Sequence, residues 1–156
     1  MAWLEITKKY YHHHKVFCLT STGLFFIILV FFVIFLLKNK QNLQAGACIF
    51  QVEKVQSAYG QYRGLSGRNK IAADEGMLFL FADTSDRTFV MRKMNFPLDI
   101  VFIRDHRIIN LYHDLPPEDA HPSSSYHSGA PVDAVLEINA GRSQACRLGV
   151  GTLVSW

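Results

Sequence analysis

Apolar positions follow two different periods along the chain, and the change between them divides it. From Val16 to Leu37, "VFCLTSTGLFFIILVFFVIFLL", 22 positions pass without a charge, flanked by Lys15 and Lys38. At about 1.5 Å per residue a helix of this length spans roughly 30 Å of hydrocarbon, so residues 16–37 are expected to form a single transmembrane helix. A domain this small could not cover a helix that is apolar on every side. Phe25, Phe26, Phe31, Phe32 and Phe35 crowd several faces with no small-xxx-small spacing among them, which suits lipid contact better than a tight helix pair. The run exceeds a secretory h-region, and Lys38 and Lys40 separate it from the small residues "AGA" before Cys48. The segment therefore reads as an uncleaved signal anchor. Residues 38–47, "KNKQNLQAGA", are polar and then small, as expected of a linker.

From Cys48 the period shortens to two. "CIFQVEKV" alternates as a strand does, and "SAYGQYRGL" predicts a short helix with Ser57 as its N-cap. "GMLFLF", Gly76 to Phe81, is apolar on both faces and predicts a central strand. "DTSD" reads as a turn and "RTFVM" as another strand. "LDIVFIRDHRIINLY" predicts a hairpin whose two turn residues, Asp105 and His106, tolerate positive φ. Twenty residues rich in Pro, Ser and His follow, then a strand "AVLEI", a turn at "NAG", a helical turn in "SQACRLG" and a last strand "GTLVSW". The expected fold is mainly β (α+β): a compact small β barrel or sandwich with one or two short helices, spanning residues 48–156.

Charge narrows the function classes. Residues 1–47 hold five Lys against Glu5, whereas residues 48–156 hold eleven Lys or Arg against twelve Asp or Glu. A near-neutral globular part lacks the basic face of a nucleic-acid binder. Lys8, Lys9 and Lys15 before the apolar run balance Lys38, Lys40 and Lys54 after it, so the positive-inside comparison leaves orientation open. "YYHHHK", Tyr10 to Lys15, suits a membrane interface through its tyrosines, while its adjacent histidines diverge on a helix and do not form a metal site.

Four ordered stretches, "RGLSGR" with "DEGMLFLF", "FVMRKMNFPLDIVFI", "SYHSGAPVDAVLEINAG" and "RLGVGTLV", resemble the domain of unknown function 192 family from about Cys48 to the C-terminus. The positions that carry the likeness include Arg63, Gly64, Arg68, Gly76, Met77, Met91, Pro97, Leu98, Asp99, Ser128, Pro131, Glu137 and Gly141. Ser66, Gly67, Met94, Asn95 and Thr152 depart from the pattern. The resemblance implies a compact β-rich fold and, because such domains commonly follow a signal or anchor segment, an extracytoplasmic location with residues 1–15 in the cytoplasm. It implies no reaction.

Asp99 is the position that composition does not explain. A carboxylate inside an otherwise apolar strand is costly unless neighbours satisfy it. A structural role would have it accept backbone N–H groups or pair with Arg63, Arg68 or Arg92. A functional role would make it the anionic base of a ligand pocket with Met91, Arg63, Arg68, Tyr126 and Ser128. The loop residues His113, Asp114, Glu118, Asp119, His121 and His127 are metal-capable types, but their spacing matches no ligand pattern, so no metal or other cofactor is expected. Cys48 and Cys146 are the only cysteines of the globular part, and two unpaired thiols are expected there. These features describe a membrane-anchored extracytoplasmic binding domain, its partners membrane lipid and an envelope glycan or membrane protein. Two alternatives stay open: an accessory subunit docking through its transmembrane helix, and a hydrolase using Asp99 with a loop His and Ser128.

Overall fold

The computed structural model describes residues 23–32 and 40–156. Residues 23–32 form helix α1, whose apolar side chains from Leu24 to Phe32 are exposed. Among the described residues no helix is long and apolar enough to cross a membrane. The rest of the expected span at 16–37, with Cys18, the Tyr10–Lys15 segment and the expected cytoplasmic stretch, lies outside the described residues. The chain divides between Asn39 and Lys40 into two units.

The expected linker is, from Lys40 onward, the first strand of the domain. β1 (Lys40–Ala45) places Leu43 and Ala45 in the core with no exposure and leaves its other side chains outward. Only two apolar residues alternate there, so the polar face dominates the composition and hides the strand. Gly46 and Ala47 turn the chain into β2 (Cys48–Val55), with Ala45 opposite Cys48. Gly46 has φ 53, as the first turn position of a II′ hairpin requires. A Cβ there would lie 2.5 Å from the Cys146 carbonyl oxygen, so no larger residue fits.

Ser57 caps helix α2 (Ala58–Arg63) by accepting the Gly60 N–H. The chain then enters β3 (Glu75–Ser85), parallel to β2 and longer than the sequence predicts, since Asp83 to Ser85 of "DTSD" continue the strand through a register shift after Leu80. The strand expected at "RTFVM" shrinks to β4 (Thr88–Phe89). β5 (Leu98–Arg104) and β6 (Arg107–Leu115) form the expected hairpin, with φ 47 at Asp105 and φ 61 at His106. β7 (Tyr126–His127), β8 (Val132–Asn139), α3 (Arg142–Ala145) and β9 (Val154–Ser155) complete the domain.

Seven strands form one sheet in the order β6-β5-β8-β3-β2-β1-β9, and β4 pairs with β7. The two outer strands meet: the Ile108 N–H donates to the Thr152 carbonyl at 3.0 Å and the Val154 N–H to the His106 carbonyl at 2.9 Å. The sheet thus curls into a barrel closed at one end, which covers edges that would otherwise be open. Inside lie Leu43, Phe50, Val52, Leu78, Val101, Ile103 and Leu136, among others. A second cluster on the outer face of β3, β5 and β8 includes Met77, Phe79, Met91, Leu98, Ile100, Phe102 and Val135. That outer face is covered by the α2 turn, by the β4–β7 ribbon and by the segment after β6. The long connection is ordered by Glu118, whose Oε1 accepts from the N–H and hydroxyl groups of Ser123 and Ser124, while its own N–H donates to the Met91 carbonyl.

Cys48 and Cys146 are joined in a disulfide, their Cα atoms 5.4 Å apart, and the expectation of free thiols is corrected. Curling of the sheet makes the pairing possible. It sets the end of α3 against the β1–β2 turn, where the Ala47 N–H donates to the Cys146 carbonyl at 3.2 Å. Sequence alone carries no measure of that approach. The bond closes a loop of sequence separation 98, for which the chain-entropy view expects about 4 to 5 kcal/mol. Thermal unfolding of the full chain in mild detergent should therefore shift down on adding reductant and be insensitive to it in Cys48→Ser/Cys146→Ser. A wild-type melting curve indifferent to reductant would reject the cross-link.

Candidate functional site

Asp99 stands second in β5, on the inner face shared with Val101 and Ile103, and has no exposure. Its Oδ1 accepts the N–H groups of Asp114 at 2.9 Å and Gly141 at 3.1 Å, and its Oδ2 accepts the N–H and hydroxyl of Ser143 at 2.8 and 2.5 Å. Gly141 is the N-cap of α3, held at φ 77, and has no side chain with which to cap. Asp99 does so from across the fold, compensating amide donors that the helix leaves free. Because the Ser143 hydroxyl donates to Asp99, the His113 ring donates through Nδ1 to Ser143 Oγ at 2.6 Å. The carboxylate is thus satisfied by backbone and by Ser143, and none of the three arginines considered for it takes part.

The remaining residues considered for a pocket are dispersed. Met91 is fully buried in the outer cluster. Arg68 forms a bidentate pair with Glu53 at 2.6 and 2.7 Å, and this hydrogen bond holds the Glu53 carboxyl below its usual range. Tyr126 packs its ring 5.3 Å from that of Tyr112. Ser128 is buried and accepts the Arg87 N–H at 3.0 Å, while His127 lies between the hydroxyls of Thr88 and Ser125. Ser128, the loop histidines and Asp99 therefore form no nucleophilic relay. Among the described residues no three of His, Cys, Asp and Glu converge as metal ligands would.

Arg63 is the exception, because it borders a cleft of about 400 Å³ on the outer face. One wall is the end of α2 and its turn, Gln61 to Ser66; the other is the β3–β4 region with Phe79, Phe81 and Asp86 to Val90. Arg92 stacks its guanidinium 3.9 Å over the Tyr62 ring and donates to the Tyr62 carbonyl, while Arg87 stacks 3.9 Å over Phe81. The remaining polar member is Glu137 of β8.

Glu137 faces outward between Met77 and Ile100, its register partners, and is 6% exposed. Its Oε2 is buried without a hydrogen-bond partner. Burial pushes the carboxyl up to about 8, with only the Arg68 charge opposing. The chain passes over it at Gly64, φ 51, where a Cβ would stand 3.7 Å from Oε2. At neutral pH this is a protonated acid at the bottom of an aromatic cleft, able to donate a hydrogen bond to whatever enters. The signal was present in "AVLEI", an acid inside an apolar strand, the same anomaly as Asp99 in "PLDIVFI".

A curled sheet with an aromatic cleft on its outer face defines a small, mainly β, barrel-like domain. The chain matches the DUF192 model, described as Uncharacterized ACR, over residues 40–156, and it belongs to that family. The match begins at β1 and so includes the strand read as a linker. Two solved structures are similar. A protein of unknown function from Novosphingobium aromaticivorans is 29% identical with a TM-score of 0.70, over 75% of this chain and 85% of that one. A protein described as a proposed transcription regulator from Sinorhizobium meliloti is 28% identical with a TM-score of 0.70, over 74% of this chain and 92% of that one. No curated protein matches the chain.

The two acids lead to opposite stability predictions. Asp99→Ala strands buried amide donors and should lower unfolding free energy by about 3 kcal/mol or more, with Asp99→Asn costing less. A denaturant midpoint for Asp99→Ala at or above that of the unmodified chain would contradict the capping role. Glu137 retains its proton in the folded protein up to about pH 8, whereas the unfolded chain loses it near the ordinary 4.5. Its stabilising contribution is complete below that ordinary value and is lost as pH rises toward 8. Glu137→Gln should therefore be the more stable protein at pH 8 and above, and the difference should vanish in acid. Equal melting temperatures for the two across that range would show that the carboxyl is not desolvated.

Proposed function

We propose that this chain is a membrane-anchored binding domain on the extracytoplasmic side, with its ligand site in the cleft above Glu137. The observation that carries the site is the Glu137 Oε2, buried and unpaired at the cleft floor. A small domain with marginal stability rarely retains an uncompensated buried acid unless the group acts on something. Aromatic walls with a few convergent polar groups are the usual composition of a ligand pocket, and this volume is at the lower end of the range for small molecules.

The anchor reading rests on the 22-residue uncharged run at 16–37. The Cys48–Cys146 disulfide supports an oxidising compartment, where such bonds persist. The near-neutral charge of residues 48–156 gives no support for extending the regulatory role named for the Sinorhizobium protein to this chain. Binding rather than catalysis is favoured because Asp99, Ser128 and His127, the residues a nucleophilic relay would draw on, are each engaged in separate hydrogen bonds.

Location is tested through Ser125, an exposed residue of the β6–β7 connection. In intact cells producing the full chain, Ser125→Cys should react with a membrane-impermeant maleimide and fractionate with membranes. Labelling only after lysis would reject the extracytoplasmic placement. Recovery in the soluble fraction would reject the anchor.

A further inference from the structure

The chemistry of the cleft selects among ligands. An acid at the floor taken alone suggests a cationic ligand, an amine that would ion-pair with the Glu137 carboxylate. The charges around it argue otherwise. Arg63, Arg87 and Arg92 border the cleft against one acid at its edge, Asp86. Arg87 pairs with Asp83 at 2.7 Å, but Arg63 and Arg92 form no ion pair among the described residues. Arg92 is held in place by its stack on Tyr62, so its remaining N–H groups are oriented before any ligand arrives. Arg68, the other charge that acts on Glu137, is committed to Glu53. A cation entering here would approach two unpaired guanidiniums, and like charges brought together are strongly disfavoured.

We infer that the cleft binds a small organic carboxylate with an aromatic or acyl body, its anion between Arg63 and Arg92 and an oxygen meeting the unpaired Oε2 of Glu137. This inference rests on the cleft being the binding site. Phe79, Phe89, Leu65 and Met94 receive the apolar body, for which a bare inorganic anion has no equivalent. Each polar group then has a partner. The orphan oxygen gains one, and the guanidiniums gain the planar acceptor that their fork fits. Ionisation of Glu137 would remove the donor and add a second negative charge beside the ligand, so binding should weaken as pH rises through its titration. Asp86, Glu53 and the four arginines named here are the other charged groups around it.

The test is calorimetric titration of the full chain in mild detergent with phenylacetate, phenethylamine and phenethyl alcohol, three probes of one shape with different head groups. Phenylacetate is expected to bind at least about tenfold tighter than the amine, with affinity falling between about pH 7 and about pH 9. Arg63→Gln and Arg92→Gln should each cost about tenfold for phenylacetate and leave the alcohol little changed. Glu137→Gln should bind phenylacetate more weakly, with affinity that no longer depends on pH in that range. If the amine binds as well as the acid, or if the arginine variants retain full phenylacetate affinity, the carboxylate inference is overturned while the cleft remains the site. If none of the three probes binds at millimolar concentration, or if a Gly64→Trp plug leaves binding of all three intact, the cleft reading itself fails and takes this inference with it.

Discussion

Three strands, β3, β5 and β8, are apolar on both faces, and the architecture follows from having to cover both. Alternation along β5 sends Val101 and Ile103 inward and Ile100 and Phe102 outward, so neither side tolerates water. On the inner side the sheet covers itself by curling until β9 meets β6. On the outer side it has no partner sheet, and the cover is assembled from short pieces: the turn after α2, the β4–β7 ribbon and the segment pinned by Glu118. A cover made of separate pieces leaves seams. The cleft is the seam between the α2 turn and the β3–β4 region, and Glu137 lies beneath it.

The two buried acids define opposite ends of one physical scale. Asp99 has its carboxylate oxygens filled by three amides and a hydroxyl, which is how a charge is kept inside a protein at acceptable cost. In doing so it joins β5, the end of β6 and α3, the helix whose last turn also carries the disulfide to β2. Glu137 has neither amide nor cation within hydrogen-bond reach of Oε2, and it avoids the cost of burial by holding its proton. One acid serves as a fastener. The other keeps one oxygen without a partner in the fold.

Much of the fold was legible from period and turn chemistry. The Asp105–His106 hairpin, the Ser57 cap and the two-sided strand from Gly76 each follow from a local rule, and local rules are what a sequence displays directly. Features that depend on distant approach were not legible. β1 was concealed because Leu43 and Ala45 acquire meaning only once β2 and β9 flank them. The disulfide required the closed sheet, which no spacing between positions 48 and 146 announces. Of the residues considered for a pocket, Asp99 was singled out by a sound argument about buried charge, and the same argument applied equally to Glu137. What separated them was the supply of amide donors, a tertiary property: a helix N-terminus happens to meet one acid and an apolar sheet face surrounds the other.

The same separation lets an open cleft and the stabilising framework coexist in so small a domain. At the floor of the cleft is Glu137 of β8, a strand hydrogen-bonded on both sides, to β3 and β5. The walls belong to the cover, where Arg92 rests on Tyr62 and Arg87 on Phe81 through stacking rather than through buried salt bridges. The stacked Arg92 guanidinium keeps donors beyond its bond to the Tyr62 carbonyl, whereas Arg87 has committed a nitrogen to Asp83 and the bidentate Arg68–Glu53 pair has spent its donors on the fold. The cleft thus sets an acid held by the sheet below a guanidinium, that of Arg92, which stacking orients and which forms no ion pair among the described residues.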